Sequence, residues 1–351
     1  MTDLLQTLKK LTQADQVSAT QLNRPMTIDF YEQWISDQMY GSMTYLKDHL
    51  PLKKNPQLIQ PELKSSLILT FAYFPAPHPL PHKIPARVAL YAQNEDYHFW
   101  IKNRLTQAID ELLKTFPDET FLPFVDSGPI LERDLAYRAG LGWFGKNTCL
   151  IHPKKGSLFF ISEILTSLNT ESLLNTSELG VTPDFCGKCT RCIDICPTQA
   201  LESPRKLNAN RCISFLTIES KTVPPVELRH QMNDWFFGCD LCQTVCPWNQ
   251  KIIKSETDPF LLTSKFESSK TSSEQIEYFR TILSSSNKKI QKMTLGTPLF
   301  RSGGFGLKRN ALIVIGNKEI KSLLSEVQNL KNDPKLGELA TWCEQNLTVS
   351  E

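Results

Sequence analysis

The sequence predicts a chain of mixed helix and sheet, α/β or α+β in class, that ends in a purely helical tail. Three observations carry this. The apolar pattern switches between helical and strand spacing through the first 165 or so positions. Eight of the ten cysteines then crowd between Cys186 and Cys246, and beyond residue 275 only helical spacing is left.

Taken in order, Met26 to Leu46 has helical spacing, with Phe30, Trp34 and Met39 among its apolar positions. Ser66 to Phe74 is aliphatic and aromatic and stops at Pro75, as a buried strand does. From Tyr97 to Phe116 the apolar residues recur at helical spacing, with Asp96 placed to cap the first turn. Phe121 to Val125 and Ser157 to Leu165 read as further strands. Pro129 to Ala139 reads as a helix with Pro near its start and Gly140 past its end. Polar stretches at Ser167–Thr182 and Lys251–Gln275 bracket the cysteine block. After them, Gly306–Ile315, Glu319–Leu330 and Leu336–Leu347 read as helices, the last two resembling one unit of a HEAT-like repeat. Three domains follow: 1–168, 169–255 and 256–351.

The 351 residues carry 39 Lys and Arg against 37 Asp and Glu, so the net charge is only +2. That balance neither requires nor excludes a nucleic-acid partner. The amino terminus lacks the apolar core of a signal peptide, and the longest apolar run, Leu67–Phe74, is too short to cross a bilayer. A cytoplasmic protein is expected. No coiled coil or apolar surface stripe calls for assembly, so a monomer is expected as well.

Ten cysteines in a long chain without an export signal point to metal ligation rather than disulfides. Cys186-x2-Cys189-x2-Cys192-x3-Cys196-Pro197 is the bacterial ferredoxin run, in which three thiolates wrap one cubane and the fourth serves its neighbour. A second run, Cys239-x2-Cys242-x3-Cys246-Pro247, has Phe236 where its first cysteine belongs, and Cys212 is the evident substitute. The resulting assignment gives Cys186, Cys189, Cys192 and Cys246 to one 4Fe-4S cluster and Cys196, Cys212, Cys239 and Cys242 to the other. Two zinc sites or a redox dithiol are the alternatives. Zinc ribbons pair C-x2-C knuckles and have no use for a third cysteine at the same step or a closing Cys-Pro. Cys149 and Cys343 read as core thiols. Two adjacent clusters pass single electrons from a donor to a second redox centre.

No G-x-G-x-x-G fingerprint or P-loop appears in the first half. The run from Val125-Asp126-Ser127-Gly128-Pro129 through Glu132-Arg133 to Gly140-Leu141-Gly142-Trp143-Phe144-Gly145-Lys146-Asn147 instead describes a polar mouth: an acid at a strand end, an arginine-bearing helix, a glycine-rich loop. Together with Asn210-Arg211-Cys212-Ile213-Ser214-Phe215 and Gly238-Cys239-Asp240-Leu241-Cys242, this resembles the epoxyqueuosine reductase family over about Tyr40 to Asn249.

The resemblance implies an α+β protein: a nitroreductase-like cobalamin-binding domain, a two-cluster bacterial-ferredoxin-like domain and a small all-α HEAT-like tail. It implies cobalamin and two 4Fe-4S clusters as cofactors. The implied activity is reduction of epoxyqueuosine to queuosine at the tRNA wobble position, the last step of queuosine biosynthesis. The absence of an Asp-x-His-x-x-Gly signature fits a corrin bound with its lower base detached. Asp126 matches the proton donor, a role that needs burial or a nearby carboxylate to raise its pKa. Lys53, Leu150, Ile161 and Ser214 match corrin contacts, and His98 matches a family segment. For tRNA the expected contacts are Arg211, Lys221, Arg301, Lys308 and Arg309. A reductive dehalogenase shares the corrin and cluster plan but usually carries an export signal. A ferredoxin-type electron carrier would bind no cobalt.

Overall fold

The computed structural model describes residues 2–73, 84–169, 182–253 and 272–348. The two expected polar stretches, and Phe74 at the end of the expected strand, lie wholly or largely outside them.

The amino-terminal half is built on one four-stranded sheet. Its strands are β1 (Gln16–Gln21), β2 (Ser65–Ala72), β3 (Phe121–Val125) and β4 (Phe159–Thr166), in the order β1-β2-β4-β3 and antiparallel throughout. Three of the four match the expected strands. The fourth, Gln-Val-Ser-Ala-Thr-Gln, carries too little apolar signal to be read from sequence.

Helices cover both faces. Leu67, Leu69 and Phe71 pack with the helices Thr2–Thr12 and Tyr97–Thr115, while Ile68 and Leu165 pack with the short helix Glu132–Arg138 on the other side. Coverage of both faces is why the Leu-Ile-Leu-Thr-Phe run is apolar without alternation. The Tyr97–Thr115 helix buries Tyr97, Ile101, Leu105, Ala108 and Leu112, and Asp96 caps it by accepting the His98 backbone N–H at 3.1 Å.

The helix expected over 26–46 is broken into Ile28–Ser36, Thr44–Asp48 and Leu50–Lys54. The break falls at Gln38 and Gly41, both at positive φ. At Gly41 a Cβ would stand 2.3 Å from the Phe215 ring, so only glycine lets this segment lie against the second half of the chain.

The tail does not pack as a separate body. One hydrophobic cluster joins Ile213, Leu216, Phe236 and Phe237 from the cysteine-rich region to Phe279, Leu307, Leu312 and Leu339 of the tail, crossing the expected boundary at 255/256. The parallel pairing of Arg87–Val88 with Trp235–Phe237 ties in the amino-terminal half as well. The central tail helix, Gly303–Asn317, is buried on every side, and Ser273–Ser284, Asn287–Thr294 and Gly337–Thr348 pack around it.

That burial overturns one expectation. Arg309, read as a tRNA contact, has no exposed surface. Its guanidinium donates to Ser220 O (2.5 Å), Thr222 O (3.1 Å), Thr217 O (3.2 Å) and Asn310 Oδ1 (3.0 Å). Its basicity, lowered by burial to about 10, still leaves it charged. Arg309 therefore fastens the tail to the cysteine-rich region by spreading one buried guanidinium over three of that region's carbonyls. Arg309→Ala is expected to cost about 3 kcal/mol, read by denaturant unfolding. Arg309→Lys is expected to recover little of it, since one ammonium cannot reproduce the planar fork.

Candidate functional site

Two cavities meet the cysteine-rich region. The larger, of about 1130 Å³, opens between the sheet domain and the cysteine block. It exceeds the roughly 300–1,000 Å³ of an ordinary small-molecule pocket. Its walls include Phe30, Tyr31, Trp34 and Tyr45 on one side, Lys53, Asp126, Glu132 and Arg133 on a second, and Cys212, Ser214, Phe215 and Glu219 on a third.

Asp126 stands at the end of β3 with φ +58°, a conformation that aspartate tolerates better than most residues. The turn aims its carboxylate into the cavity. Tyr97 donates to Asp126 Oδ2 at 2.6 Å, and His98 Nε2 lies 3.7 Å from the same oxygen. The other ring nitrogen of His98, Nδ1, is 2.7 Å from Asp96 Oδ1. Enclosure by the cavity walls raises the Asp126 pKa, but His98, Tyr97 and Arg133 outweigh it and hold the carboxyl below its ordinary range. The expectation of a raised Asp126 is thus reversed, because its donors favour the anion. For His98 the balance also tips toward charge. Burial lowers its pKa, and the carboxylates of Asp126 and Asp96 more than restore it.

The raised carboxylates are others. Glu132 is pushed up to about 7 by burial and by Asp126, against Arg133 and Lys53. Glu163 is also pushed well above the ordinary carboxyl range, by burial and by Glu132 and Asp126. It sits on β4 opposite Ile68 and Phe124, 1% exposed, and its Oε1 has no hydrogen-bond partner. Lys53 is the buried cation among them. Its Nζ donates to Ile130 O at 2.8 Å and lies 5.7 Å from the centre of the Tyr31 ring.

The smaller cavity, about 260 Å³, is ringed by Cys186, Cys189, Cys192 and Cys246. Burial and the neighbouring Cys246, Cys186 and Cys189 push the Cys192 thiol up to about 11. Cys239 and Cys242 form a separate group, raised by burial and by Cys212 and Cys196. Backbone N–H groups of Phe215 and Ser214 work the other way on Cys212, favouring its thiolate. Among the described residues no three His, Cys, Asp or Glu side chains converge as one metal ion requires.

The glycine-rich loop serves both the polar mouth and the cysteine block: Trp143 and Phe144 line the large cavity, while Lys146 and Asn147 turn to the cysteines. Lys146 Nζ donates to Gly187 O (2.6 Å) and Cys189 O (2.9 Å) in the first run, and Asn147 Nδ2 donates to Cys242 O (3.0 Å) in the second.

The other expected contacts divide. Ser214 lines the cavity, next to Cys212. Leu150 and Ile161 belong to the core around Ile68 and Leu135 and are absent from the described cavity lining, because that face of β4 is covered by the Glu132–Arg138 helix. Lys221 and Arg301 are exposed, Arg301 paired with the cavity residue Glu219 at 2.9 and 3.2 Å. Arg211 is half-buried and donates to Thr198 O at 2.7 Å, and Lys308 is half-buried. Sequence reasoning left Tyr97, Glu132 and Glu163 unassigned. The available signal was Glu163, a charge inside an otherwise apolar strand.

A sheet-and-helix domain whose large acid-bearing cavity abuts paired ferredoxin runs defines an iron–sulfur oxidoreductase. The comparisons narrow this. Residues 185–249 match the 4Fe-4S double cluster binding domain, and residues 53–127 match the family described as epoxyqueuosine reductase QueG, DUF1730. The epoxyqueuosine reductase of Xanthomonas campestris pv. campestris is 33% identical over 306 residues, 86% of this chain and 82% of that protein. That of Escherichia coli K12 is 33% identical over 315 residues, 88% of this chain and 79% of that protein. A solved epoxyqueuosine reductase in complex with an epoxyqueuosine-modified tRNA-Tyr stem loop superposes with a TM-score of 0.78 at 26% identity, covering 99% of this chain and 90% of that one. The Bacillus subtilis enzyme, solved with its catalytic aspartate loop swung out of the active site, also gives 0.78 at 26% identity, over 98% of this chain and 89% of that one. The chain belongs to the epoxyqueuosine reductase family.

Removing Lys53 takes away a charge that holds Glu132 down. In Lys53→Met the Glu132 titration is expected to move above about 7, read by carboxylate infrared difference spectra against a Glu132→Gln control.

Proposed function

We propose that this protein reduces epoxyqueuosine to queuosine at the wobble position of tRNA, the last step of queuosine biosynthesis, with cobalamin in the large cavity and two 4Fe-4S clusters. The observation that carries the reading is convergence. Asp126, with its carboxylate hydrogen-bonded to Tyr97, and Cys212 line one chamber, so proton and electron sources share it. The family's name and the tRNA stem loop in a solved relative supply the substrate.

The residues fit the groups assigned to them. The amino-terminal half is taken as the nitroreductase-like corrin domain, the cysteine block as the ferredoxin-like domain and the helical end as a HEAT-like tail. Cys186, Cys189, Cys192 and Cys246 would hold one cluster around the smaller cavity, which suits a multi-atom cubane better than one ion. Cys196, Cys212, Cys239 and Cys242 would hold the other. The large cavity exceeds ordinary pocket size, as a corrin requires, with Lys53 and Ser214 on its walls. Bound there, cobalamin would supply a low-potential cobalt able to open the strained epoxide.

The chain's own task is protons, since turning an epoxide into an alkene and water consumes two of them along with two electrons. Asp126 stands where the developing alkoxide needs a proton, yet it is ionised at rest. Its supply is at hand. His98 Nε2, 3.7 Å from Asp126 Oδ2, carries a proton that the carboxylate pair favours, and Glu132 holds another until about pH 7. Asp126 thus hands on a proton received from its neighbours, and Tyr97 fixes the carboxylate for the transfer. Exposed Lys221 and Arg301 are left as phosphate contacts for the anticodon arm.

The direct test is anaerobic incubation of the reconstituted protein with tRNA bearing epoxyqueuosine, read by nucleoside mass analysis. Conversion to queuosine is expected, and an unchanged nucleoside in cobalt- and iron-loaded protein rejects the function. Asp126→Asn is expected to keep iron and cobalt and lose turnover. In the wild type the rate is expected to fall as pH rises through about 7, because Glu132 loses its proton there, and to fall further as His98, held above its ordinary range by Asp126 and Asp96, loses its own. A rate that rises instead would contradict the proton route.

Cys149 and Cys212 separate by role. Cys149→Ala is expected to retain the full iron content, whereas Cys212→Ala is expected to lose one cluster, measured as iron and acid-labile sulfide per protein.

A further inference from the structure

The two cysteine sets border different cavities. Cys212 lines the large cavity, with Cys196, Cys239 and Cys242 grouped beside it. The set Cys186, Cys189, Cys192 and Cys246 rings a cavity whose rim reaches solvent.

That rim has a definite composition. Phe185 is 49% exposed. Its ring lies 5.8 Å from Trp248, and both pack edge-on against the buried Trp143, at 5.1 and 5.0 Å. Beside this aromatic patch the exposed cations Arg191 and Lys251 line the cavity, the latter with Nζ 4.1 Å from the Trp248 ring centre, and exposed Lys188 directly precedes Cys189 in the chain. Among the described residues no carboxylate pairs with any of the three. The local acids are engaged elsewhere: Asp184 with Arg205 at 2.5 Å, and Asp194 with the Thr190 hydroxyl at 2.8 Å. In a chain with a net charge of only +2, three unpaired cations around one aromatic patch form a local field.

We propose that the rim formed by Phe185, Trp248, Lys188, Arg191 and Lys251 is the docking face for an acidic one-electron carrier protein of the ferredoxin or flavodoxin type. The inference rests on the reading that the eight cysteines hold two 4Fe-4S clusters. The reduced carrier docks and gives up one electron to the outer cluster. The carrier is oxidised, the outer cluster reduced, and the electron moves inward to the cluster next to the cavity. Two dockings deliver the two electrons of a turnover. An uncovered aromatic patch beside the thiolates sets a short transfer distance, and the cations steer and orient a partner of opposite charge. The same cations would also attract tRNA phosphates. Their placement around the outer thiolates favours the carrier.

The test uses holoprotein with measured iron content. The triple variant Lys188→Glu, Arg191→Glu, Lys251→Glu is compared with wild type for binding of oxidised plant-type ferredoxin and for stopped-flow reduction by the reduced form. At low salt the variant is expected to bind at least about tenfold more weakly and to be reduced at least about tenfold more slowly. The steep salt dependence of the wild-type rate should flatten, while bleaching by dithionite stays unchanged. The neutralising variant with Gln at the same three positions should fall between the two, which guards against a folding defect in the charge-reversed protein. Unchanged ferredoxin binding and reduction in variants with full iron would overturn the proposal. So would a loss confined to tRNA affinity. Wild-type protein that takes up no iron after reconstitution would remove the cluster reading itself, an outcome that iron analysis separates from a failure of docking.

Discussion

The arrangement depends on one seam, where a single loop of the sheet domain holds both cysteine runs. Lys146 spends its ammonium on two carbonyls of the first run, and Asn147 spends its amide on a carbonyl of the second. Such a loop must approach closely. At Gly142, with φ +152°, a Cβ would meet Ile151 O at 2.3 Å, and at Gly145 one would meet Asn147 Oδ1 and Ile151 Cδ1 at 2.5 Å. The glycines let the loop fold tightly against Ile151, and the polar side chains tie it to the cysteine runs. A second seam repeats the device. Asn249 takes the Ser157 N–H at 2.6 Å and gives its own N–H groups to Ser157 Oγ and Gln243 O. Buried polar groups of this kind must all be satisfied, so the two halves have little freedom to slide. That rigidity fixes the distance from the inner thiolates to the cavity.

The cavity itself is arranged around charge held against its preference. Asp126, Glu132 and Glu163 crowd one wall with Lys53 as the buried counter-cation, and three carboxylates cannot all be ionised so close together. The tension resolves by position. Asp126 has the donors and is held below the ordinary carboxyl range; Glu163, buried and with no partner for one of its oxygens among the described residues, is held well above it. Glu132 lies between them, poised near neutrality. Such a gradient of proton affinity suits a reaction that consumes protons in a chamber partly closed to water.

The tail illustrates how the same chemistry turns structural. Arg309 has the charge of a phosphate contact and the environment of a core residue. It donates to three carbonyls of the neighbouring region and lets a largely apolar helix dock there. Arg301, eight positions earlier, remains outside and pairs with a cavity residue.

Local signals sufficed wherever one stretch of chain carried the whole instruction. The ferredoxin spacing, the capped Tyr97–Thr115 helix and the strands β2, β3 and β4 were legible because periodicity and ligand spacing are properties of contiguous residues. Burial, pairing and pKa were not legible, because each depends on what distant segments bring. No pattern near residue 309 reports that Ser220 and Thr222 will surround it. None near Asp126 reports that Tyr97 and His98 will hold it as an anion. None near Lys146 says that it will face cysteines rather than the cavity. The sequence by itself determined which groups the protein possesses. Only the tertiary structure decided which would be charged, which buried and which shared one chamber, because those are sums over neighbours that the chain does not list in order.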